Sequence, residues 1–367
     1  MDLFERLPTP WGLVRSGVAP DHSKIKSVSR VFESISNVPN FRLFANIEVG
    51  RDIALDSLKT AYDVVILAVG TPVAKRLGIP GEDFLNCWSS AEFISWYNGH
   101  PDYSQLNIDL SGKKAIVIGA GNVALDVARL LAMNPDKLFS TDISYKALEE
   151  LSKSNIKEVS LCARRGAEFA SFTSSELQEL SELEDTNVVI PLEEIRRAIT
   201  SSKLDVEKHA KANLEVLKKI AGMEKRDVNK RLEFHFAHTP KEIRGKDKVE
   251  SVIFTTTKGE VEIEADVIVT AIGYEVDPQW NSKLEGGYFR NSDGFIEDNL
   301  YVVGWAKRGP NGVIGTNKSD ASNVVGQIVA HLSGRRPKTG APRQDLVENL
   351  IYIDRLSRRC RCIVISG

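Results

Sequence analysis

Three small residues, Gly119, Gly121 and Ala124, have the spacing of a turn that cradles a dinucleotide pyrophosphate. The first glycine permits a tight turn, the second lets phosphate approach the backbone, and the alanine lets a helix pack closely on a strand. An apolar run over residues 113–118 precedes the turn, and a helical pattern follows it. The helix N-terminus would offer free N–H groups and a positive dipole end to the phosphates. We therefore predict a dinucleotide site, with a plain strand–turn–helix as the alternative.

Two arginines follow the next predicted strand and indicate which dinucleotide binds. The apolar residues 159–163 predict a strand, and Arg164 and Arg165 come directly after it. An NAD site usually has an acidic residue here for the ribose 2′-OH, whereas arginine neutralises the 2′-phosphate of NADP. The pair therefore favours NADP(H), with a solvated basic turn as the alternative. The polar residues 134–157 read as an insertion that lengthens the distance from Gly119 to this strand.

Composition limits the class of protein. The 367 residues suffice for about two domains, and a hydrophobic content of 42% is typical of a globular chain. A net charge of -2 argues against a general nucleic-acid or membrane-surface binder. The cysteines Cys87, Cys162, Cys360 and Cys362 form no CxxC pair, which argues against a dithiol centre or a zinc site.

Three further apolar runs end in glycine. They occupy residues 62–70, 266–273 and 300–304. Continuous apolar runs are typical of parallel strands that are buried on both faces. Ligands in such sheets lie beyond the carboxyl ends of the strands. The fold class is therefore predicted to be α/β, with ligand sites near these glycines.

Together with these signals, a set of short motifs resembles the adrenodoxin reductase family of FAD-dependent ferredoxin–NADP reductases. They occur in the family's order at residues 7–15, 17–22, 46–52, 96–99, 121–126, 164–166, 172–173, 176–177, 304–310 and 312–314. The resemblance implies a glutathione-reductase-like fold with two Rossmann-like dinucleotide-binding domains. In that fold the NADP domain, residues 108–274, is inserted into an FAD domain formed by residues 1–107 and 275–350. Residues 351–367 read as a divergent tail.

The resemblance also implies roles for single residues. The FAD-binding residues would be Glu5, Leu13, Val49, Trp305, Gly312, Val313 and Ile314. The NADP-binding residues would be Gly119, Ala120, Gly121, Asn122, Val123, Arg164, Arg165 and Glu176. His22 and Glu176 would be the catalytic polar groups near the flavin. From residue type alone, His22 equally suits a turn and Glu176 a first-turn acid, and a core aromatic residue is the less favoured alternative for Trp305.

The implied function is electron transfer from NADPH through FAD to a ferredoxin-type iron–sulfur protein. The family opens with a strand and a GxGxxG turn that hold FAD, and this sequence begins after them, so we expect weakened FAD retention. The alternatives are an inactive or FAD-deficient fragment that binds only NADP, and an NADPH-dependent flavin subunit serving another acceptor. The expected location is the bacterial cytoplasm, with the mitochondrion as the alternative.

A charged, helical region over residues 193–231 is rich in lysine and arginine. Such runs usually form a solvated helix face, but a basic surface would also attract an acidic ferredoxin. Lys307 and Arg308 flank Trp305, and the sequence favours them as docking residues over the 193–231 region.

Overall fold

The computed structural model of the chain describes residues 1–201, 208–312 and 314–333. Its strands are β1 (Asp2–Glu5), β2 (Arg42–Ala45), β3 (Val65–Leu67), β4 (Val73–Ala74), β5 (Cys87–Ser89), β6 (Lys114–Ile118), β7 (Glu158–Cys162), β8 (Thr186–Val189), β9 (Lys230–His235), β10 (Thr239–Gly245), β11 (Val249–Thr256), β12 (Gly259–Glu264), β13 (Val267–Thr270), β14 (Tyr274–Glu275), β15 (Leu284–Glu285), β16 (Tyr288–Phe289), β17 (Phe295–Glu297) and β18 (Leu300–Val302).

The helices are shorter on average in the first half of the chain. They are α1 (Gly12–Ser16), α2 (Ser23–Lys26), α3 (Ser29–Ser36), α4 (Leu55–Ala61), α5 (Ser90–Tyr97), α6 (Asn122–Ala132), α7 (Tyr145–Ser152), α8 (Ser174–Glu179), α9 (Leu192–Ser201), α10 (Lys208–Ala221), α11 (Trp305–Arg308) and α12 (Ile314–Leu332). None of the helices in the described part of the chain combines the length and the apolar character that crossing a bilayer needs.

The chain forms two compact units. The first unit contains Met1–Trp11, Ser29–Val73 and the described residues from Tyr274 onward, and the second contains Gly12–Val28 and Ala74–Gly273. Each unit has hydrophobic clusters of its own.

The second unit is built on a parallel sheet with strand order β5-β13-β6-β7-β9-β8. Strand β6 shows why the centre of this sheet is apolar. Ala115 and Val117 pack into the helical core, while Ile116 and Ile118 pack into a second core with the antiparallel sheet β10-β11-β12. Both faces of β6 are thus covered, as the continuous apolar run predicts.

The first unit contains shorter sheets. Strand β1 pairs with β2 in parallel, and β18 lies between β3, in parallel, and β17, antiparallel. The predicted α/β class with parallel apolar strands is confirmed, because β3, β13 and β18 fall within the three glycine-terminated runs.

Two segments lie in a different unit from the one that the predicted boundaries suggest. Residues 12–28 and 74–107 were assigned to the FAD domain, but both lie in the second unit. Strand β5 pairs with β13 of the parallel sheet, and residues 21–22 contact helix α6 through Arg129. The proposed tail, residues 351–367, and residues 334–350 lie outside the described residues.

Helices α9 and α10 account for most of the region 193–231 that was predicted to be helical. Its last two residues, Lys230 and Arg231, begin strand β9 instead. The apolar alternation of Leu232 and Phe234, which pack into the helical core, places these two basic residues at the start of a buried strand.

Candidate functional site

The predicted glycine turn connects β6 to α6. The N–H of Gly119 donates to Cys162 O at 2.9 Å, and that of Ala271 donates to Ile118 O at 2.7 Å, so strands on both sides fix the turn. A Cβ on Gly119 would come closer than 3.0 Å to the carbonyl oxygen of Ala271. Glycine is therefore required here because a neighbouring backbone occupies the space of a side chain.

Helix α6 begins with unpaired backbone donors. Its N-cap is Gly121, which has no side chain to accept from the first turn. The first intrahelical bond runs from Leu125 N to Gly121 O at 3.1 Å, so the preceding N–H groups have no carbonyl partner within the helix. Ala124 is fully buried, which lets the helix start lie close to the sheet. The turn therefore fits a pyrophosphate, and Ala120, Asn122 and Val123 flank these donors.

The arginine pair lies at the same sheet edge. Strands β6 and β7 are neighbours with Ile118 opposite Cys162, so Gly119 and Arg164 both follow the carboxyl ends of paired strands. Arg164 and Arg165 are exposed, and the Arg165 guanidinium carbon lies 5.3 Å from the Phe169 ring centre. Exposed guanidinium groups beside the turn fit a 2′-phosphate.

A buried polar cluster lies within the second unit and joins residues from three parts of the chain. We call it the His22 cluster; its members are Asp21, His22, Asp126, Arg129, Glu176 and Glu179. Helix α6 carries Asp126 and Arg129 one turn apart, and α8 carries both glutamates. The predicted pair His22 and Glu176 meets here, with 3.7 Å between His22 Nε2 and Glu176 Oε2.

Arg129 holds the cluster together. Its side chain is only 6% exposed and pairs with Asp21. Arg129 Nη2 lies 3.2 Å from Asp126 Oδ1, and Arg129 Nε lies 3.4 Å from Glu179 Oε2. The buried Oε2 of Glu176 has no hydrogen-bond partner among the described residues. One guanidinium thus pairs with three carboxylates, while the fourth, that of Glu176, lies within ion-pair distance of His22.

His22 Nε2 has two possible partners that need opposite protonation. It lies 2.8 Å from Glu179 Oε2 and 2.9 Å from Arg129 Nη2. A protonated Nε2 donates to Glu179, whereas a bare Nε2 accepts from Arg129. The ring can therefore take up or release a proton at Nε2 with a hydrogen-bond partner in either state.

The electrostatics of the cluster favour bound protons. Burial lowers the pKa of His22, but the hydrogen bond with Glu179 and the charge of Asp126 outweigh it and raise that pKa above 6.5. Burial, followed by the charge of Asp126, raises the pKa of Glu176. Burial also raises the pKa of Asp126 despite the nearby Arg129.

Three ligand-type atoms of His22, Glu176 and Glu179 lie within 4.8 Å of one another. The guanidinium of Arg129 already supplies a positive charge at this point, 2.9 Å from His22 Nε2. A divalent cation would be repelled by that charge, so the geometry favours ion pairing over metal binding.

In the first unit, Trp305 and the start of α12 form the strongest match to a flavin site. Trp305 stacks on Tyr274 with ring centres 6.3 Å apart, and its buried Nε1 has no partner among the described residues. Gly312 has a φ of 83°, and α12 begins at Ile314. An unpaired indole donor and a helix start fit the polar edge of a flavin ring. Val313 lies outside the described residues.

The other predicted FAD residues are spread over both units. Glu5 ends β1 and accepts from Leu7 N at 2.9 Å, which leaves a partly buried carboxylate at a strand end. Val49 packs against two hydrophobic clusters of the first unit. Leu13 is an exposed residue of α1 in the second unit.

Lys307 and Arg308 have internal partners, contrary to the expectation that they are docking charges. Lys307 Nζ lies 2.8 Å from Asp320 Oδ1, and its side chain is only 16% exposed. Arg308 donates to Asn311 O and to Asn317 Oδ1. These two cations therefore stabilise the start of α12 and are not a free basic surface.

The exposed basic surface lies instead at and after the end of α10. We call it the α10 basic patch; it consists of Lys218, Lys219, Lys225 and Arg226. The Arg226 side chain also donates to Leu183 O, so its charge has a fixed position.

Comparisons with known proteins agree with this geometry. The family model described as pyridine nucleotide-disulphide oxidoreductase matches residues 20–304. The NADPH-ferredoxin reductase FprA of Mycobacterium tuberculosis is 43% identical over 355 residues, which are 92% of this chain and 78% of that protein. A probable mitochondrial NADPH:adrenodoxin oxidoreductase of Schizosaccharomyces pombe is 38% identical over 88% of this chain and 74% of its own.

The solved structure of Mycobacterium tuberculosis FprA in complex with NADPH superposes with a TM-score of 0.90 at 41% identity. It covers 97% of this chain and 83% of that chain. Thioredoxin reductase of Lactococcus lactis, at 14% identity and a TM-score of 0.51, shares the fold alone.

Proposed function

Because the chain belongs to the pyridine nucleotide-disulphide oxidoreductases, and within them to the NADPH-ferredoxin reductases, we propose that it transfers electrons from NADPH through FAD to a ferredoxin-type iron–sulfur protein. The observation that carries this proposal is the glycine turn beside the exposed arginine pair. Both lie at the carboxyl ends of the paired strands β6 and β7. This arrangement suits a dinucleotide that carries a 2′-phosphate.

The protein's own residues bind and orient the two cofactors. The first N–H groups of α6 would hold the NADP pyrophosphate, and Arg164 and Arg165 its 2′-phosphate. Trp305 and the start of α12 would contact the flavin ring. When bound, the nicotinamide supplies a hydride and the flavin divides the two electrons into single transfers.

The His22 cluster would supply a proton site. His22 Nε2 keeps a hydrogen-bond partner whether it is protonated or not, since Glu179 accepts from it and Arg129 donates to it. Glu176 adds a buried carboxylate oxygen, Oε2, which has no hydrogen-bond partner among the described residues and lies 3.7 Å from His22 Nε2. We assign proton handling and positioning to this pair, and Arg129 holds the carboxylates around it.

The α10 basic patch is the proposed docking surface for an acidic ferredoxin. Exposed positive charge raises the encounter rate with an acidic partner and makes that rate fall with salt. The acceptor, a bacterial ferredoxin or an adrenodoxin-type protein, would decide whether the enzyme is a ferredoxin–NADP⁺ reductase or an adrenodoxin–NADP⁺ reductase. A bacterial cytoplasmic location stays a prediction.

The test has two stages. Titration calorimetry of the chain with NADP⁺ and NAD⁺ should give markedly tighter binding of NADP⁺. With FAD added, NADPH should then drive ferredoxin-linked reduction of cytochrome c. Equal affinities for the two nucleotides would contradict the NADP assignment. NADP⁺ binding without FAD uptake or reductase activity would favour the fragment alternative.

A further inference from the structure

A short segment lies across the glycine turn. We call residues 171–174 the clasp. The backbone N–H and the hydroxyl of Ser171 donate to Ala120 O at 2.8 Å and 3.1 Å. The N–H of Thr173 donates to Asn122 Oδ1 at 2.7 Å. The clasp therefore binds the two residues that flank Gly121.

Asn213 of α10 forms hydrogen bonds with two residues of the clasp. Asn213 is completely buried, its Nδ2 donates to Phe172 O at 2.7 Å, and its Oδ1 accepts from Ser174 Oγ at 2.8 Å. One side-chain amide thus uses both its donor and its acceptor on alternate clasp residues. The Phe172 ring is itself fully buried in the helical core, so the segment is fixed by a ring and an amide together.

The clasp leads directly into α8, which carries Glu176 and Glu179 of the His22 cluster. Thr173 is the N-cap of α8, and its hydroxyl accepts from Glu176 N at 3.4 Å. Glu179, at the other end of α8, contacts His22. A shift of the clasp would therefore move the glycine turn and the start of α8 together.

We propose that Asn213 is a positioning residue for the NADP(H) site: it holds the clasp in the place that orients the glycine turn for the pyrophosphate. The proposal rests on the proposed nucleotide binding at this turn. Without the amide, the Phe172 carbonyl loses a buried hydrogen bond and the Ser174 hydroxyl a partly buried one, which is costly unless the segment moves. The clasp lies close to the turn itself, since a Cβ built on Gly121 would be 3.3 Å from Ser171 Oγ.

This role predicts a specific defect in binding. Asn213→Ala should weaken NADP⁺ binding about tenfold, in line with the loss of one to two buried hydrogen bonds. NAD⁺ binding should weaken by the same factor, because both nucleotides share the pyrophosphate. An altered NADP⁺/NAD⁺ ratio would instead indicate an effect on the arginine pair and overturn the proposal.

The control is Asn187, another side-chain amide of the second unit that forms two hydrogen bonds with the backbone. Asn187 donates to Arg226 O and accepts from Arg226 N, each at 2.9 Å. Asn187→Ala should also lose two hydrogen bonds but leave NADP⁺ affinity within about twofold of the parent. Circular dichroism and thermal melts would show that each variant is folded before calorimetry.

A double-mutant cycle separates positioning from general stability. Asn122→Ala removes the other end of the same link, since Asn122 accepts from Thr173 N. If Asn213 acts through the clasp, the two substitutions should cost less together than the sum of their separate effects on NADP⁺ affinity. Additive effects, or unchanged affinity in folded Asn213→Ala, would overturn the proposal.

If Asn213→Ala does not fold, Ser174→Ala provides the same test in a milder form. It removes only the bond to Asn213 Oδ1 and should weaken NADP⁺ binding about threefold, again without changing the NADP⁺/NAD⁺ ratio. Unchanged affinity would overturn the clasp role. Failure of the parent chain to bind NADP⁺ would instead refute the proposed function, so the two failures are distinguishable.

Discussion

Removal of the arginine pair is the sharpest test of nucleotide choice. We consider the double substitution Arg164→Ala with Arg165→Ala. Both side chains are exposed, and the turn that carries them is fixed by backbone bonds, Ala163 N to His235 O at 2.8 Å and Ala237 N to Arg165 O at 3.0 Å. The substitution therefore removes two charges and leaves the fold unchanged.

The expected loss follows from the bonds that a 2′-phosphate would make. A hydrogen bond to a charged group contributes about 1.5–3 kcal/mol, so two would contribute about 3–6 kcal/mol if fully shielded from water. Exposure of both arginines to solvent reduces this, and we expect about 2–3 kcal/mol, or roughly 30- to 150-fold weaker NADP⁺ binding. NAD⁺ binding should change little because it has no 2′-phosphate.

The assay is calorimetric titration of each variant with NADP⁺, NAD⁺ and 2′,5′-ADP at constant ionic strength. Lys218→Ala with Lys219→Ala is the matched control, since it also removes two exposed positive charges from the second unit. The control should keep the parent's preference for NADP⁺. An unchanged NADP⁺/NAD⁺ ratio in the arginine variant, or an equal loss in the control, would refute the assignment of the pair.

Three further outcomes follow from the structure. Gly119→Ala should abolish NADP⁺ binding and lower the melting temperature, because the new Cβ collides with Ala271 O. The control is Gly326→Ala, which should change neither property because no heavy atom lies within 4 Å of its Cβ position. Because the pKa of His22 is raised, its protonated form stabilises the fold fully below about pH 6.5, and that stabilisation is lost as pH rises through the folded-state pKa. In His22→Gln, the free energy of unfolding measured in urea should therefore depend less on pH across this range. The same pH dependence as in the parent would contradict the raised pKa. Charge reversal of the α10 basic patch should raise the KM for ferredoxin several-fold and reduce the salt dependence of the ferredoxin rate. NADPH oxidation by a small neutral acceptor should stay the same. If neither charge reversal nor salt changes the ferredoxin rate, the patch is a solvated helix face.

The glycine turn could be predicted because its requirements are local. Strand, turn and helix follow one another over residues 114–132, and each residue type has a direct role in that stretch. The strand before the arginine pair was predicted over residues 159–163 and is Glu158–Cys162 in the structure. Apolar periodicity and turn residues therefore determine these elements without distant contacts.

The His22 cluster could be predicted only in part. His22 and Glu176 were candidates, but Asp21, Asp126, Arg129 and Glu179 were not. Asp126–Arg129 and Glu176–Glu179 each have a spacing of three, which places both members on one helix face, and this was the available signal. The sequence separation of 107 residues between His22 and Arg129 means that only the folded chain brings the two helices to the same histidine.

The docking residues that the sequence favours show the opposite limit. Lys307 and Arg308 look like free charges in the sequence, but Asp320, one helix later, accepts from Lys307. Burial raises the pKa of Asp320, but the hydrogen bonds from Lys307 and Gly304 N and the nearby positive charges together outweigh it and hold that pKa below its usual range. A charge run alone does not show which of its members are paired within the fold.

Helix α6 links the nucleotide turn to the proton site. Its N-terminus follows Gly121, and Asp126 and Arg129 lie four and seven residues after Asn122, which is about 6 and 10 Å along the axis. Four carboxylates face one guanidinium and one imidazole in the cluster, so full ionisation would leave excess negative charge in a buried place. The raised pKa values of His22 and Glu176 reduce that excess by retaining protons. Since eight of the eleven residues of α6 are buried, the helix holds the glycine turn and the Asp126–Arg129 pair at a fixed separation, and one element therefore positions both the nucleotide turn and the proton site.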